Sequence, residues 1–173
     1  MIGLENKTLY SERLSYRLLA PSDKAALREI LSKRSVTEPA GFLPAATAEE
    51  FDRFFAGLTR YNTGIAILRD DMLIGYIHVS RYVPDLPEYH GKNCISLGFL
   101  IGEKYQNRGY ATETLKTVTA YLKKTFDFCI AEHFTGNEPS KRVIEKCGYR
   151  YTETYTLFFE ELGRDMISHS YVY

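Results

Sequence analysis

The amino-acid sequence predicts a mixed α/β (α+β) fold in one domain over residues 1–173, neither doubly wound nor a barrel. Three observations carry this. Strand-like runs and helical periodicities follow in the order strand, two helices, several strands, helix, strand, helix, two strands. Turn signals at Arg69-Asp70-Asp71 and Leu162-Gly163-Arg164 join neighbouring runs as hairpins. No repeat, low-complexity tract or Gly/Ser/Pro-rich linker divides the chain.

Each element has a local cause. Residues 14–19 read as the first strand. Pro21 suits a first helical position, where its missing N–H would be unpaired anyway, and Asp23 complements the helix dipole. Ala26, Leu27, Ile30 and Leu31 then make an apolar stripe. Pro39, Gly41 and Pro44 break the periodicity, so residues 35–46 read as a loop. Thr47-Ala48-Glu49-Glu50 is a capping box, in which Thr and Glu satisfy each other's free N–H groups. Phe51, Phe54, Phe55 and Leu58 follow at helical spacing as a core face. Residues 64–68 and 72–79 form the first hairpin, and Pro84, Pro87 and Gly91 place residues 83–93 in a surface loop.

The second half continues in the same way. Residues 95–101 are a strand, and Leu115, Val118 and Leu122 mark the buried face of the helix that follows. Residues 126–134 are a compact apolar strand. Asn137 caps a short helix with Pro139 in its first turn, Val143 and Ile144 inward, and Gly148 as the left-handed stop. Residues 149–159 and 166–173 are the last two strands. The terminal one is expected to leave a pairable edge, which would allow a homodimer.

Bulk composition excludes several classes of function. Lys+Arg and Asp+Glu both total 22, so there is no basic footprint for nucleic acid. No apolar run approaches the ~20 residues that span a bilayer, and residues 1–8 hold no signal-peptide core. Cys94, Cys129 and Cys147 are an odd, widely spaced set that fits neither a disulfide framework nor a zinc site, so a reducing cytoplasm is the expected location. His78, His90, His133 and His169 share no close spacing, so no metal is expected. No G-x-S-x-G or Cys–His arrangement points to a covalent nucleophile.

The most informative segment is residues 95–112, a strand, a turn and a helix start. A helix N-terminus leaves backbone N–H groups unpaired and carries roughly +0.5 of partial charge, so it attracts phosphate. Gly109 lets the backbone approach a ligand closely, and Arg108 adds a cation at the rim. The pattern predicts a phosphate cradle.

Two segments together carry a family likeness. Gln106-Asn107-Arg108-Gly109-Tyr110-Ala111 matches Q/R-x-x-G-x-G/A. Residues 137–149, Asn137-Glu138-Pro139-Ser140 through Lys146-Cys147-Gly148-Tyr149, match N-x-x-S-x-x-(V/L)-x-x-K-x-G-(F/Y). In this order and spacing the chain resembles the GNAT superfamily of acyl-CoA-dependent N-acyltransferases. Ser11-Glu12-Arg13-Leu14-Ser15-Tyr16-Arg17 also looks like the T/S-E-R-L-x-L-R start of its Rim-type branch, which acetylates ribosomal-protein N-termini. The likeness spans nearly the whole chain.

The resemblance implies a single domain with a mixed, mostly antiparallel sheet, a splayed strand pair and about four helices. It implies acetyl-CoA as co-substrate and no metal. In such folds the pantetheine arm lies between the splayed strands against exposed backbone, here Phe99, Leu100 and Ile101. The pyrophosphate meets the turn of Gln106, Asn107, Arg108, Gly109, Tyr110, Ala111 and Thr112. Asn137 hydrogen-bonds the arm, and Ser140 lies near the thioester sulfur as a candidate general acid. Each also has a plainer role, Asn137 as an N-cap and Ser140 as a first-turn hydroxyl.

Two positions depart from the superfamily pattern. Ile144 stands where many members place a Tyr acid, and Ser96 stands where the Rim-type branch often has a Glu base. Glu132 is a substitute base or a surface carboxylate; His133 is packed or catalytic; Tyr149 packs. Without a strong base, a weakly basic amine is the better acceptor. Freeing the lone pair of an α-amine with pKa about 7.8 costs about 1 kcal/mol at pH 7, against roughly 4–5 kcal/mol for a lysine at about 10.4. The Rim-type resemblance implies a protein N-terminus as the acceptor, in a pocket expected to be lined by residues 35–46, residues 83–93 and the last hairpin turn. A small amine (an antibiotic, polyamine or amino-acid-like molecule) is the alternative, and a non-catalytic acyl-CoA-binding module is a third reading.

Overall fold

A computed structural model describes residues 2–81 and 86–173, so residues 83–85 of the expected loop lie outside the described residues. Eight strands form one sheet. They are β1 (Leu9–Tyr10), β2 (Ser15–Leu18), β3 (Gly64–Arg69), β4 (Met72–Arg81), β5 (Cys94–Ile101), β6 (Phe128–Phe134), β7 (Arg150–Phe159) and β8 (Arg164–Val172). Five helices accompany them: α1 (Lys24–Leu31), α2 (Arg34–Thr37), α3 (Ala48–Arg60), α4 (Tyr110–Leu122) and α5 (Glu138–Lys146). Their order in the chain is the expected one with two additions, β1 ahead of the first expected strand and α2 between the first two expected helices.

Strand order is β1-β2-β3-β4-β5-β6-β8-β7, and every neighbouring pair is antiparallel except β5 with β6. That parallel pair joins only Cys94↔Phe128 through Leu97↔Ala131. From Gly98 and Glu132 onward the two strands separate, giving the splayed pair. The far edge of β5 stays tied to β4 up to Gly75↔Ile101, so the gap opens on its β6 side alone.

The sheet is covered on both faces. One face packs Ile77, Ile95, Leu97, Cys129 and Ala131 against Leu115, Val118 and Leu122 of α4 and Ile144 of α5. The other packs Ala66, Leu68, Tyr76 and Leu100 under α1, α2 and α3, through Leu27, Leu31, Val36, Phe51, Phe55 and Leu58. A smaller cluster on this second face seats Tyr89 on Cys94, Ile130 and Val172.

Local signals explain several elements. Thr47 Oγ1 accepts from the Glu50 N–H at 3.2 Å, while the Glu50 carboxylate accepts from the N–H groups of Ala46 at 2.7 Å and Thr47 at 3.4 Å. Asp70 and Asp71 both hold positive φ, 49° and 61°, which matches the twist of a tight hairpin. Asp23 does more than complement a dipole. Its carboxylate is 5% exposed, accepts from the Ala20 N–H at 2.8 Å and clamps Arg17 at 2.6 and 2.9 Å.

Three expectations are corrected. Residues 35–46 are not a loop throughout, because α2 and a 3-10 turn at Glu38–Ala40 occupy their first half. Pro39 starts that turn, where no N–H is needed, and buried Val36 anchors the short helix to the core. Strand β6 begins at Phe128, and Phe126 packs in the core ahead of it. The terminal strand β8 is not an edge, since it pairs with β6 on one side and β7 on the other. Among the described residues the edge strands are β1 and β7. Among the described residues no helix is long and apolar enough to cross a membrane.

Candidate functional site

The separation of β5 from β6 opens a cavity of about 470 Å³ between the strands, α4 and α5. Phe99, Leu100 and Ile101 of β5 line one wall, and Asn137 and Ser140 line the opposite one. Gln106, Asn107, Gly109, Tyr110, Ala111 and Thr112 close the end at the start of α4. Eleven of the twelve residues expected around the donor thus meet in one place. Arg108 is the exception: it is exposed and lies outside the lining.

The turn before α4 has the backbone an anion needs. Asn107 and Gly109 both adopt positive φ, 60° and 80°. Glycine takes this conformation freely, and Asn is among the few other residues that tolerate it. Gln106 Nε2 donates to the Ile101 carbonyl at 3.0 Å and ties the turn to the end of β5. Among the described residues no acceptor faces the N–H groups of residues 107–112. A row of unpaired N–H groups at a helix start, beside a cavity, can hold a pyrophosphate.

Helix α5 is fixed by its cap. Asn137 Oδ1 accepts from the Ser140 N–H at 3.2 Å, and its Nδ2 donates to the Pro39 carbonyl at 2.9 Å, joining α5 to the 3-10 turn across the cavity. Pro139, Arg142, Val143 and Lys146 also line the cavity. Arg142 and Lys146 are spaced i, i+4, so the helix presents two cations on one stripe. Sequence reasoning passed over them, although that spacing is readable within the second motif.

The second face of the sheet holds different chemistry at the same fork. Leu97 and Ala131 belong to the α4 side, so alternation puts Gly98 and Glu132 on the other. These are the first residues of each strand beyond the β5–β6 pairing. A Cβ on Gly98 would meet nothing within 4 Å, so the fork is open there. The Glu132 carboxylate accepts from the Tyr155 hydroxyl of β7 at 2.5 Å. His78 pairs with Gly98 from β4 and shares this face; burial holds its imidazole below the ordinary value. Glu132 lies outside the cavity lining.

Other candidates resolve into packing. Ile144 is wholly buried beneath α4. His133 is 6% exposed, stacked on His169 with ring centroids 4.8 Å apart, and bonded to the Phe134 carbonyl and the Tyr171 hydroxyl. That contact between two histidines, 36 positions apart in sequence (169 − 133), is set by the β6–β8 register. Tyr149 bonds Thr119 at 2.6 Å, and burial pushes its hydroxyl pKa upward despite that bond. Cys94, Cys129 and Cys147 are buried free thiols. Among the described residues no group of three or more His, Cys, Asp or Glu can hold a metal.

A family model for the acetyltransferase (GNAT) domain matches residues 13–150. The chain belongs to this family. It is an acetyl-CoA-dependent N-acetyltransferase, and the splayed strands, N–H row and capped α5 are the features that suit that co-substrate. The uncharacterized N-acetyltransferase YnaD of Bacillus subtilis (strain 168) is 28% identical over 144 residues, 81% of either chain. An acetyltransferase (GNAT family) from Bacillus anthracis shares the fold with a TM-score of 0.79 at 22% identity, covering 96% of this chain and 97% of its own. A spermidine N-acetyltransferase from Vibrio cholerae, solved with CoA and spermine, gives 0.76 at 14% identity, covering 94% and 96%. At these identities the two structures speak for the fold alone.

Proposed function

We propose that this N-acetyltransferase acylates a primary amine at the β5–β6 fork, and that the acceptor is a protein N-terminal α-amine. One observation carries the reading. The strands part immediately after Leu97↔Ala131, with the N–H-lined cavity in the gap and the Glu132 carboxylate of β6 beside the parting, bonded to Tyr155. Donor and acceptor can then meet at the fork.

The chain's own groups divide the work. Backbone of Phe99, Leu100 and Ile101 pairs with the pantetheine arm, aided by Asn137. The N–H groups of Asn107 to Thr112 hold the pyrophosphate, with Arg142 and Lys146 of the lining adding positive charge. The amine nitrogen bonds to the thioester carbonyl carbon and the carbon–sulfur bond breaks. Glu132 takes the proton from the nitrogen, and the Ser140 hydroxyl protonates the departing sulfur before recovering a proton from solvent.

The choice of an α-amine follows from the base. A carboxylate is a weak base, and an α-amine releases its lone pair near neutral pH far more cheaply than a lysine does. The Ser11-to-Arg17 likeness to the Rim-type branch points the same way. A polyamine is the second reading. It is favoured by the register that sets Glu132 and Glu153 on either side of Ser170, and by the spermidine enzyme among the structural neighbours. We also take residues 1–173 as one domain working in a reducing cytoplasm.

Thiol release from acetyl-CoA tests this against a panel of peptides with free N-termini, the same peptides N-formylated, and spermidine. Turnover that blocking abolishes is expected. Turnover with spermidine alone would move the acceptor to the second reading.

A further inference from the structure

Ser11-Glu12-Arg13-Leu14 is the one motif that donor and acceptor chemistry leave unused. Arg13 lies on the loop between β1 and β2, yet it reaches the start of α4. Its Nη1 donates to the Arg108 carbonyl at 3.0 Å, its Nε donates to Glu113 Oε2 at 2.7 Å, and its Nη2 is ion-paired with the same oxygen at 2.7 Å. Glu113 Oε1 accepts from the Arg13 N–H at 2.8 Å and the Ser11 hydroxyl at 2.7 Å. The guanidinium lies 4.6 Å from the centre of the Tyr110 ring, and Nη2 stands 3.4 Å from where a Cβ on Gly109 would be.

We infer that Arg13 is a positioning residue for the phosphate cradle, fixing its backbone from behind and neutralising Glu113. The inference rests on reading residues 107–112 as the pyrophosphate site. Two physical needs meet in this residue. The turn holds two left-handed residues, Asn107 and Gly109, with Arg108 between them, and a bond to the Arg108 carbonyl locks the peptide whose neighbours present N–H groups to the cavity. Glu113 is in the first turn of α4, where a carboxylate suits the helix dipole but repels an incoming anion.

Glu113 also stays charged. Its partial burial pushes the pKa up, yet the Ser11 hydroxyl and the Arg13 N–H and guanidinium together hold it below the usual carboxylate value. Arg13 therefore cancels a charge that cannot leave by protonation near neutral pH. Only a planar fork serves three acceptor contacts at once, which a lysine ammonium cannot reproduce in this geometry.

The test compares Arg13→Met, Arg13→Lys, Glu113→Gln and the double variant Arg13→Met/Glu113→Gln by titration with CoA. Arg13→Met should weaken CoA binding on the order of tenfold. The double variant should recover most of that loss while melting no higher than Arg13→Met alone, which separates charge masking from stability. Arg13→Lys should fall between wild type and Arg13→Met. Turnover with S-acetyl-pantetheine, which lacks the pyrophosphate, should not change in Arg13→Met. Unaltered CoA affinity in Arg13→Met, or a double variant no better than the single, overturns the inference. Gly109→Glu is the control, because retained CoA binding there would mean that the cradle reading itself had failed.

Discussion

Glu132 and Ser140 illustrate how far single residues account for the chemistry. Glu132→Gln keeps shape but removes the proposed proton acceptor, so kcat should fall by about 10²–10⁴-fold with CoA affinity unchanged, as steady-state kinetics and titration would report. Ser140→Ala should lower kcat less, since water can supply a proton to a thiolate leaving group. Glu113 carries a pH signature. Its folded-state pKa lies below the ordinary carboxylate value of about 4.3, so the stability from its bonds is present above that value and lost as pH falls through the folded pKa. Wild type should therefore melt above Glu113→Gln at pH 6, and the gap should close below about pH 4. The charge and spacing of these residues are visible in the sequence, but their partnerships are not. Arg13 and Glu113 lie 100 positions apart, and Glu132 meets Tyr155 only because β7 folds back outside β8.

Elements set by adjacent residues were legible. The Thr47–Glu50 box starts α3, Asp70-Asp71 turns β3 into β4, and Asn137 with Gly148 bounds α5. Elements set by distant contact were not. Pro39 and Gly41 read as breakers, yet α2 persists because Val36 is buried under the sheet. The 126–173 segment reads as strand, helix and hairpin, but nothing local says which hairpin strand docks on β6. Element-level predictions follow from close packing. An added Cβ at Gly75 would lie 2.2 Å from the Leu100 carbonyl oxygen, so Gly75→Ala must push β4 and β5 apart beside the cavity. Destabilisation of about 1–3 kcal/mol should appear in denaturant melts, with weakened CoA binding. Thr47→Ala removes only the α3 cap and should cost about 1 kcal/mol with CoA binding intact.

At the scale of the whole molecule, one sheet separates two packed layers. α4, α5 and the N–H row stand on one face, and α1 to α3, Gly98, His78 and Glu132 stand on the other. The fork joins them because the parallel register stops after four residue pairs. Ligand at ~100 times its dissociation constant stabilises a fold by about 2.7 kcal/mol, so CoA should raise the melting temperature of wild type but not of Gly109→Glu. The fold class could be read from the order of local elements and most of the cavity lining from the two motifs, because all of these are local pieces of backbone. The fork required the β5–β6 register, which depends on contacts that no single segment encodes. Thiol release from acetyl-CoA with a free-N-terminus peptide, run side by side on wild type, Glu132→Gln and Gly109→Glu, tests the central claim most directly. Steady release by wild type, at least a hundredfold slower release by Glu132→Gln with CoA still bound, and none by Gly109→Glu is the predicted result. Equal release by all three would contradict acetyl transfer at this fork.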